Sequence, residues 1–386
     1  MSKAVTVAGI DCGTNSIRLM VAQVDDAGMH VVVPRIMRVV RLGQGIDETH
    51  RFADEALERT YAACREFADV LGKHPVDALR FVATSATRDA RNREDFENTV
   101  EQILGVRPDV IPGTEEARLS FLGATSVVDQ QAGGVAKPPY VVVDLGGGST
   151  EVVLGGEGDD ADTVQAAFSM NIGSVRMSER HLHTDPPTQE EIAAATRDID
   201  ERITEAFRTV PAGKARTIIG VSGTVTTMTG LALGLSTYDK SAVDGACVSI
   251  DAVCDTDDRI LRMSRADRAQ YPVIHPGRID VIGGGALVWT RVLRRIQEAA
   301  REQGHDIDSY MASEHGLLDG IVRDLAQRVR DGREAWPSRR PAVCASEGIA
   351  RQFVCRSAIS TPMDGVVWWF CAMPWHGTAM PQWRNR

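Results

Sequence analysis

At 386 residues with 43% hydrophobic content, the chain holds enough apolar material for two cores of ordinary domain size. Its formal net charge of -10 argues against a nucleic-acid coating protein, whose surface would be broadly basic, so a polyanionic ligand would need a local basic pocket. The opening residues form no secretory leader, no apolar run reaches membrane-spanning length, and the seven cysteines are scattered without a C-x-x-C pair; the chain reads as soluble, cytoplasmic and reduced, with neither a disulfide frame nor a zinc site.

The chain opens on Val7-Ala8-Gly9-Ile10-Asp11-Cys12-Gly13-Thr14-Asn15-Ser16, an apolar strand running into an aspartate and a glycine turn, and resumes as a β-rich run over Ile17 to Val24. A third strand is predicted over His30 to Val33, and then a helix from about Asp54 to Leu71, where Leu57, Tyr61, Cys64, Phe67 and Leu71 recur at helical spacing. Ala78 to Ala83 reads as a strand that leads into a basic segment holding Arg88, Arg91 and Arg93. A helix near Arg93 to Leu104, a short strand over Asp109 to Ile111 and a helix from Glu115, capped by Thr114, complete a first α/β unit. Gln130 to Pro139 then makes a Gly/Pro hinge, which places a domain boundary near Gly133.

The second unit repeats the template. Val141-Val142-Val143-Asp144-Leu145-Gly146-Gly147-Gly148-Ser149 is again apolar strand, Asp, one residue, Gly, two residues, Ser, followed by a β-run over Thr150 to Leu154. A strand over Ala166 to Met170, a helix near Gln189 to Phe207 and a strand over Thr217 to Val221 follow, the last ending in a Ser222-Gly223-Thr224 turn. Gly283-Gly284-Gly285 stands before a helix through Arg295 and reads either as close packing or as an anion-binding helix start. Five of the six tryptophans lie in the last stretch, after Gly332, where no periodicity continues; that tail, residues 331 to 386, is assigned no function and expected to be poorly ordered. The domains predicted are thus residues 1 to 133 and 134 to 330.

The repeated turn is a chemical statement. Glycines let backbone N–H groups face a phosphate without a Cβ in the way, and the aspartate at each strand end can hold a cation. Two such turns facing one another would clasp a polyphosphate through Gly13, Thr14, Asn15 and Ser16 on one side and Gly146, Gly147, Gly148 and Ser149 on the other. Asp11 and Asp144 are predicted magnesium ligands, with Glu151 a third acidic candidate on the face that Ser149 shares; Arg18 holds the corresponding region of the first copy. Glu115 and Glu116 in a first helical turn are ordinary dipole complements, but hydrolysis of a phosphoanhydride also needs a carboxylate to take a proton from water. Cys12 reads as a small turn residue rather than a nucleophile.

These residues resemble the exopolyphosphatase and guanosine pentaphosphate phosphohydrolase family, within the actin-like, Hsp70-like and sugar-kinase superfamily. The matching segments are Gly9 to Leu19, Ala83 to Ala90, Gly113 to Leu119, Val143 to Glu151, Asn171 to Arg176 and Gly220 to Thr224, in that order along residues 5 to about 325. The resemblance implies an α/β fold of two ribonuclease-H-like domains with the active site between them, and magnesium-dependent removal of the terminal phosphate of inorganic polyphosphate. It places the general base on Glu116, the metal site on Asp144 and Glu151, and backbone donors at Gly146, Gly147, Gly148 and Ser149; Arg88, Gly223 and Thr224 join the predicted phosphate contacts. The family's longer members carry further C-terminal domains, so this chain looks like a short, two-domain member, with a homodimer as the expected assembly.

Guanosine pentaphosphate is the alternative substrate, because it offers the catalytic groups the same terminal phosphoanhydride. A kinase of the same superfold and a guanosine tetra- or pentaphosphate sensor with little catalysis are the competing readings. Orthophosphate release without an acceptor separates the hydrolase from the first, and magnesium-dependent turnover separates it from the second.

Overall fold

A computed structural model describes residues 4–126, 128 and 136–333, and two mixed β-sheets organise them. The first is built from β1 (Val5–Cys12), β2 (Ser16–Asp25), β3 (Gly28–Val39), β4 (Ala78–Ala83) and β5 (Asp109–Val110) in the order β3-β2-β1-β4-β5. β1, β2 and β3 form an antiparallel meander, whereas β4 and β5 run parallel to β1. Central strands β1 and β4 are almost wholly buried, as expected of near-continuous apolar runs covered on both faces.

The second sheet uses β6 (Tyr140–Leu145), β7 (Thr150–Gly155), β8 (Val164–Met170), β9 (Thr217–Val221), β10 (Cys247–Ser249) and β11 (Ser309–Ser313) in the order β10-β11-β9-β6-β7-β8. Its meander β6-β7-β8 and its parallel neighbours β9 and β11 repeat the first sheet, with β10 added antiparallel at the edge. The sequence echo is therefore a structural echo, two ribonuclease-H-like halves as the family resemblance implied. Register carries it to single residues: Asp11 sits opposite Arg18 across the β1–β2 hairpin, and Asp144 opposite Glu151 across β6–β7.

Each sheet packs one face against its own half. Tyr61, Cys64 and Phe67 of the helix Asp54–Lys73 and Phe96, Val100 and Leu104 of the helix Arg93–Leu104 close over Ile10, Leu19 and Phe81 of the first sheet. In the second half, the helices Gln189–Thr209 and Ile282–Glu302 build a larger core around Ile199, Ile203, Val288 and Trp289. The opposite faces are covered by exchange. Helix Gly113–Thr125, which follows the first sheet in sequence, lays Ala117, Phe121 and Ala124 on Val142, Val153 and Val221 of the second. Helix Leu317–Arg330, which follows the second sheet, returns Leu318, Val322, Leu325 and Ala326 to Val5, Val7, Met20 and Ala22 of the first. All described residues fall in one compact unit.

The two exchanged helices cross at contact distance. A Cβ built on Gly320 would lie 1.8 Å from the Leu119 carbonyl oxygen, and one on Gly123 would lie 1.9 Å from that of Gly316, so only glycine permits the approach.

Several local expectations are revised. β3 runs from Gly28 to Val39, well beyond His30 to Val33. Helix Gly113–Thr125 begins two residues ahead of Glu115, after Pro112; Thr114 lies inside the first turn and caps nothing, though Glu115 and Glu116 keep their first-turn positions. Ser222-Gly223-Thr224 opens the helix Ser222–Ala232 and is not a turn between elements. The Gly283 trio lies within the helix Ile282–Glu302, where it is packing: a Cβ on Gly284 would meet Ser178 Oγ at 2.5 Å and one on Gly285 would meet Thr224 Cγ2 at 2.7 Å. The boundary placed near Gly133 and the tail beyond residue 333 lie outside the described residues.

Candidate active site

The echoed strands β1 and β6 end at the same gap. Behind β1, Gly13 N–H donates to the Ser16 carbonyl at 3.0 Å; behind β6, Gly146 N–H donates to the Ser149 carbonyl at 3.0 Å, so the two turns share one hydrogen-bonding pattern. They meet closely: a Cβ on Gly147 would lie 3.0 Å from Thr14 Cβ, and one on Gly148 would lie 2.6 Å from Thr14 Oγ1. Between them is a cavity of about 70 Å³ whose lining includes Asp11, Gly13, Thr14, Asn15, Ser16 and Arg18 from the first copy and Asp144, Gly146, Gly147, Gly148 and Ser149 from the second. Glu116 and Thr224 line the same cavity. The predicted clasp is thus assembled around a single gap.

Glu116 reaches this gap from the exchanged helix Gly113–Thr125. It is 6% exposed, and its Oε2 accepts from Arg88 Nη1 at 2.7 Å. Burial pushes its carboxyl up to about 7; Arg88 pulls it back, and Asp144 and Asp11 add to the rise. A carboxyl that titrates near neutrality is matched to taking a proton from water.

Asp11 and Asp144 face the cavity together and are both raised, first by burial. Asp11 pairs with Arg18 at 3.1 Å, and Asp144 accepts from the Ser120 hydroxyl, one turn beyond Glu116 on the same helix. Glu151 is 1% exposed and accepts from Ser169 Oγ at 2.6 Å, with its carboxyl pushed well up by burial and by the neighbouring Glu116 and Asp144 charges. It stands beside the cavity without lining it. Among the described residues no group of three or more histidine, cysteine, aspartate or glutamate side chains is gathered closely enough to hold a metal alone. Magnesium does not require that, since it is commonly held by one or two carboxylates with water and phosphate oxygens completing its shell. Two desolvated, mutually repelling carboxylates on a phosphate-sized cavity fit such an ion.

Two predicted phosphate contacts sit elsewhere. Arg88 does not line the cavity; its guanidinium is held by Glu116 and by the Ile111 carbonyl at 3.0 Å. Gly223 is covered by Arg278, whose Nη1 would lie 1.4 Å from an added Cβ, and it lines an adjoining chamber.

Sequence reading missed Arg278, Ser222 and Thr84, all on the cavity wall. Among the described residues the Arg278 guanidinium lies over Gly223, hydrogen-bonds to Met37 Sδ at 3.8 Å, and forms no ion pair. Burial, and then the nearby Arg18 charge, pull its guanidinium down to about 10. A desolvated cation without a carboxylate partner is poised for an incoming anion. No spacing marks it: it ends the single helical turn Pro276–Arg278 between longer elements. Ser222 holds a left-handed φ of 81° where β9 becomes a helix, and its place between Val221 and Gly223 was the available signal.

The adjoining chamber has a volume of about 270 Å³ and shares Arg18, Asp144, Ser222, Arg278 and Leu317 with the first. Met37, Val273, Leu318 and Tyr238 give it apolar walls, and Arg35 stands at its side, paired with Glu314.

The model of the Ppx/GppA phosphatase family matches residues 20–325 of the chain. "Exopolyphosphatase 2" of Mycobacterium tuberculosis is 45% identical over 328 residues, covering 83% of this chain and 98% of that protein. A solved exopolyphosphatase-like protein is 66% identical, with a TM-score of 0.81, over 84% of this chain and 100% of its own. The Aquifex aeolicus PPX-GPPA enzyme is 27% identical, with a TM-score of 0.67, over the same 84% and 100%. With the echoed turns, the glutamate between them and these likenesses in agreement, the chain belongs to the Ppx/GppA phosphatase family.

Proposed function

We propose that this protein is an exopolyphosphatase, which hydrolyses the terminal phosphoanhydride of inorganic polyphosphate and releases orthophosphate. The observation that carries the reading is that both glycine turns and Glu116 line one cavity; the 45% identity to a mycobacterial exopolyphosphatase supports the choice of substrate. The terminal phosphate lies between the turns, where backbone N–H groups, Arg18 and Arg278 offset its charge. Glu116 orients a water and accepts its proton as the water oxygen bonds to phosphorus; the bond from phosphorus to the bridging oxygen breaks, leaving orthophosphate and a chain one unit shorter. Asp11 and Asp144 would hold magnesium, with Glu151 behind them, and the ion's contribution is charge neutralisation on phosphate oxygens.

Replacing Glu116 by Gln tests this. Phosphate release should fall at least about a hundredfold, the lower range for losing a general base, with substrate affinity largely kept. Turnover near that of the unsubstituted protein would reject the role of Glu116.

The adjoining chamber favours a second reading. A bare phosphate chain gains nothing from Met37, Val273, Leu318 and Tyr238, whereas a nucleoside buries its ring on such walls. In that reading guanosine pentaphosphate is hydrolysed at the same site with its guanosine in the chamber. Parallel assays of long polyphosphate, short polyphosphate, guanosine pentaphosphate and ATP, each with and without magnesium, rank the substrates.

A further inference from the structure

Arg176 lines neither chamber, yet it lies directly behind the second glycine turn. It belongs to the helix Ser174–His181, which that turn anchors: the N–H groups of Ser174, Val175 and Arg176 donate to the carbonyls of Gly146 and Gly147 at 2.9 to 3.1 Å. Its side chain is 7% exposed and runs back beneath the turn. Nε donates to the Gly148 carbonyl at 2.7 Å; Nη2 donates to Ser85 Oγ at 3.2 Å and to Asp89 Oδ2 at 2.5 Å; Nη1 donates to Asp47. Gly148 belongs to the second half, while Ser85, Asp89 and Asp47 all belong to the first. Asp47 is fixed in turn by Arg180 at 2.8 Å. One guanidinium therefore spends its planar fork on both sides of the gap.

The Gly148 carbonyl and the Ser149 N–H belong to one peptide plane and point in opposite directions. With glycine on its N-terminal side, that peptide could rotate at little steric cost, which would exchange an N–H for a carbonyl on one of its sides. A carbonyl turned towards a phosphate would repel it. We propose that Arg176 is a positioning residue for hydrolysis: by holding the Gly148 carbonyl while being held itself by Asp47, Asp89 and Ser85, it fixes the Ser149 N–H as a donor to the phosphate only when the two halves are closed on one another. The inference rests on the hydrolytic reading of the cleft. It ties closure of the halves to assembly of the anion site, a role distinct from touching substrate.

Arg176→Lys supplies the test, because lysine keeps the charge but, as a point donor, cannot reach the carbonyl and both carboxylates together. Phosphate release from polyphosphate is measured for the unsubstituted protein, R176K and, as a milder lesion that keeps the arginine, Asp89→Asn. Amide hydrogen exchange across residues 146–149 is followed on the same samples. The expected result is a loss of at least tenfold in kcat/KM for R176K with faster exchange in that turn, and a smaller change of the same kind for D89N. R176K within threefold of the unsubstituted protein, or a slower enzyme whose turn exchanges as before, would overturn the proposal while leaving hydrolysis intact. An unsubstituted protein that releases no phosphate from any of the four substrates would instead bring down the hydrolytic reading, and this inference with it.

Discussion

Glu116 carries two opposed influences, burial that raises its carboxyl and Arg88 that lowers it, and the balance near 7 sets an expected pH profile. A general base works only when ionised, so kcat/KM should fall as pH drops through about 7 and level off above it. Arg88→Met removes the lowering influence, so the acid limb should move to higher pH, by about one unit or more for a cation within direct contact. A limb that stays in place would show that Arg88 does not govern this carboxyl. At this scale the sequence was partly legible. The residues of both turns could be read because a strand-end aspartate followed by a glycine turn recurs twice, whereas Glu116 was singled out through the family resemblance, since a carboxylate in a first helical turn is equally a dipole complement. Arg88 was read as a phosphate ligand because sequence shows that a cation is nearby, not whether a carboxylate has already claimed it. Arg278 was invisible for the converse reason: being unpaired is a property of three-dimensional surroundings.

The secondary structure was legible wherever a period was strong. β4, β9 and the helix Arg93–Leu104 have the ends that their patterns predicted. What no pattern reports is the partner of a buried face. The apolar stripes of helices Gly113–Thr125 and Leu317–Arg330 say that each must be covered, but not that each covers the other half's sheet. Their crossing makes a sharp prediction. Gly320→Ala would set a Cβ 1.8 Å from the Leu119 carbonyl oxygen, where backbone must shift, so unfolding in denaturant should show a loss of at least about 2 kcal/mol. Gly304→Ala, where the added Cβ meets open space and only the φ of +82° is strained, should cost about 1 kcal/mol. Equal costs would mean that the helix crossing relaxes freely.

Across the whole molecule, a chain of net charge -10 gathers a few cations at one gap: Arg18 and Arg278 on the wall, with Arg35 beside the adjoining chamber. The halves are joined across that gap by further ion pairs, Arg35 with Glu314, Arg41 with Asp280 at 2.7 Å, and Arg176 with Asp47 and Asp89. Among the described residues no helix is long and apolar enough to cross a membrane. The internal echo made this two-half plan readable from the outset, since two copies of one strand-turn-strand template ask for two sheets. The closeness of the halves was not readable, because the Thr14 side chain meets the turn at Gly147 and Gly148, a polar contact that no hydrophobic pattern describes.

The most direct measurement is a crystal structure of the E116Q variant with magnesium and tripolyphosphate. The terminal phosphorus should lie between residues 13–16 and 146–149, with the side-chain amide introduced at position 116 beside it. A terminal phosphate bound outside that gap would contradict the account.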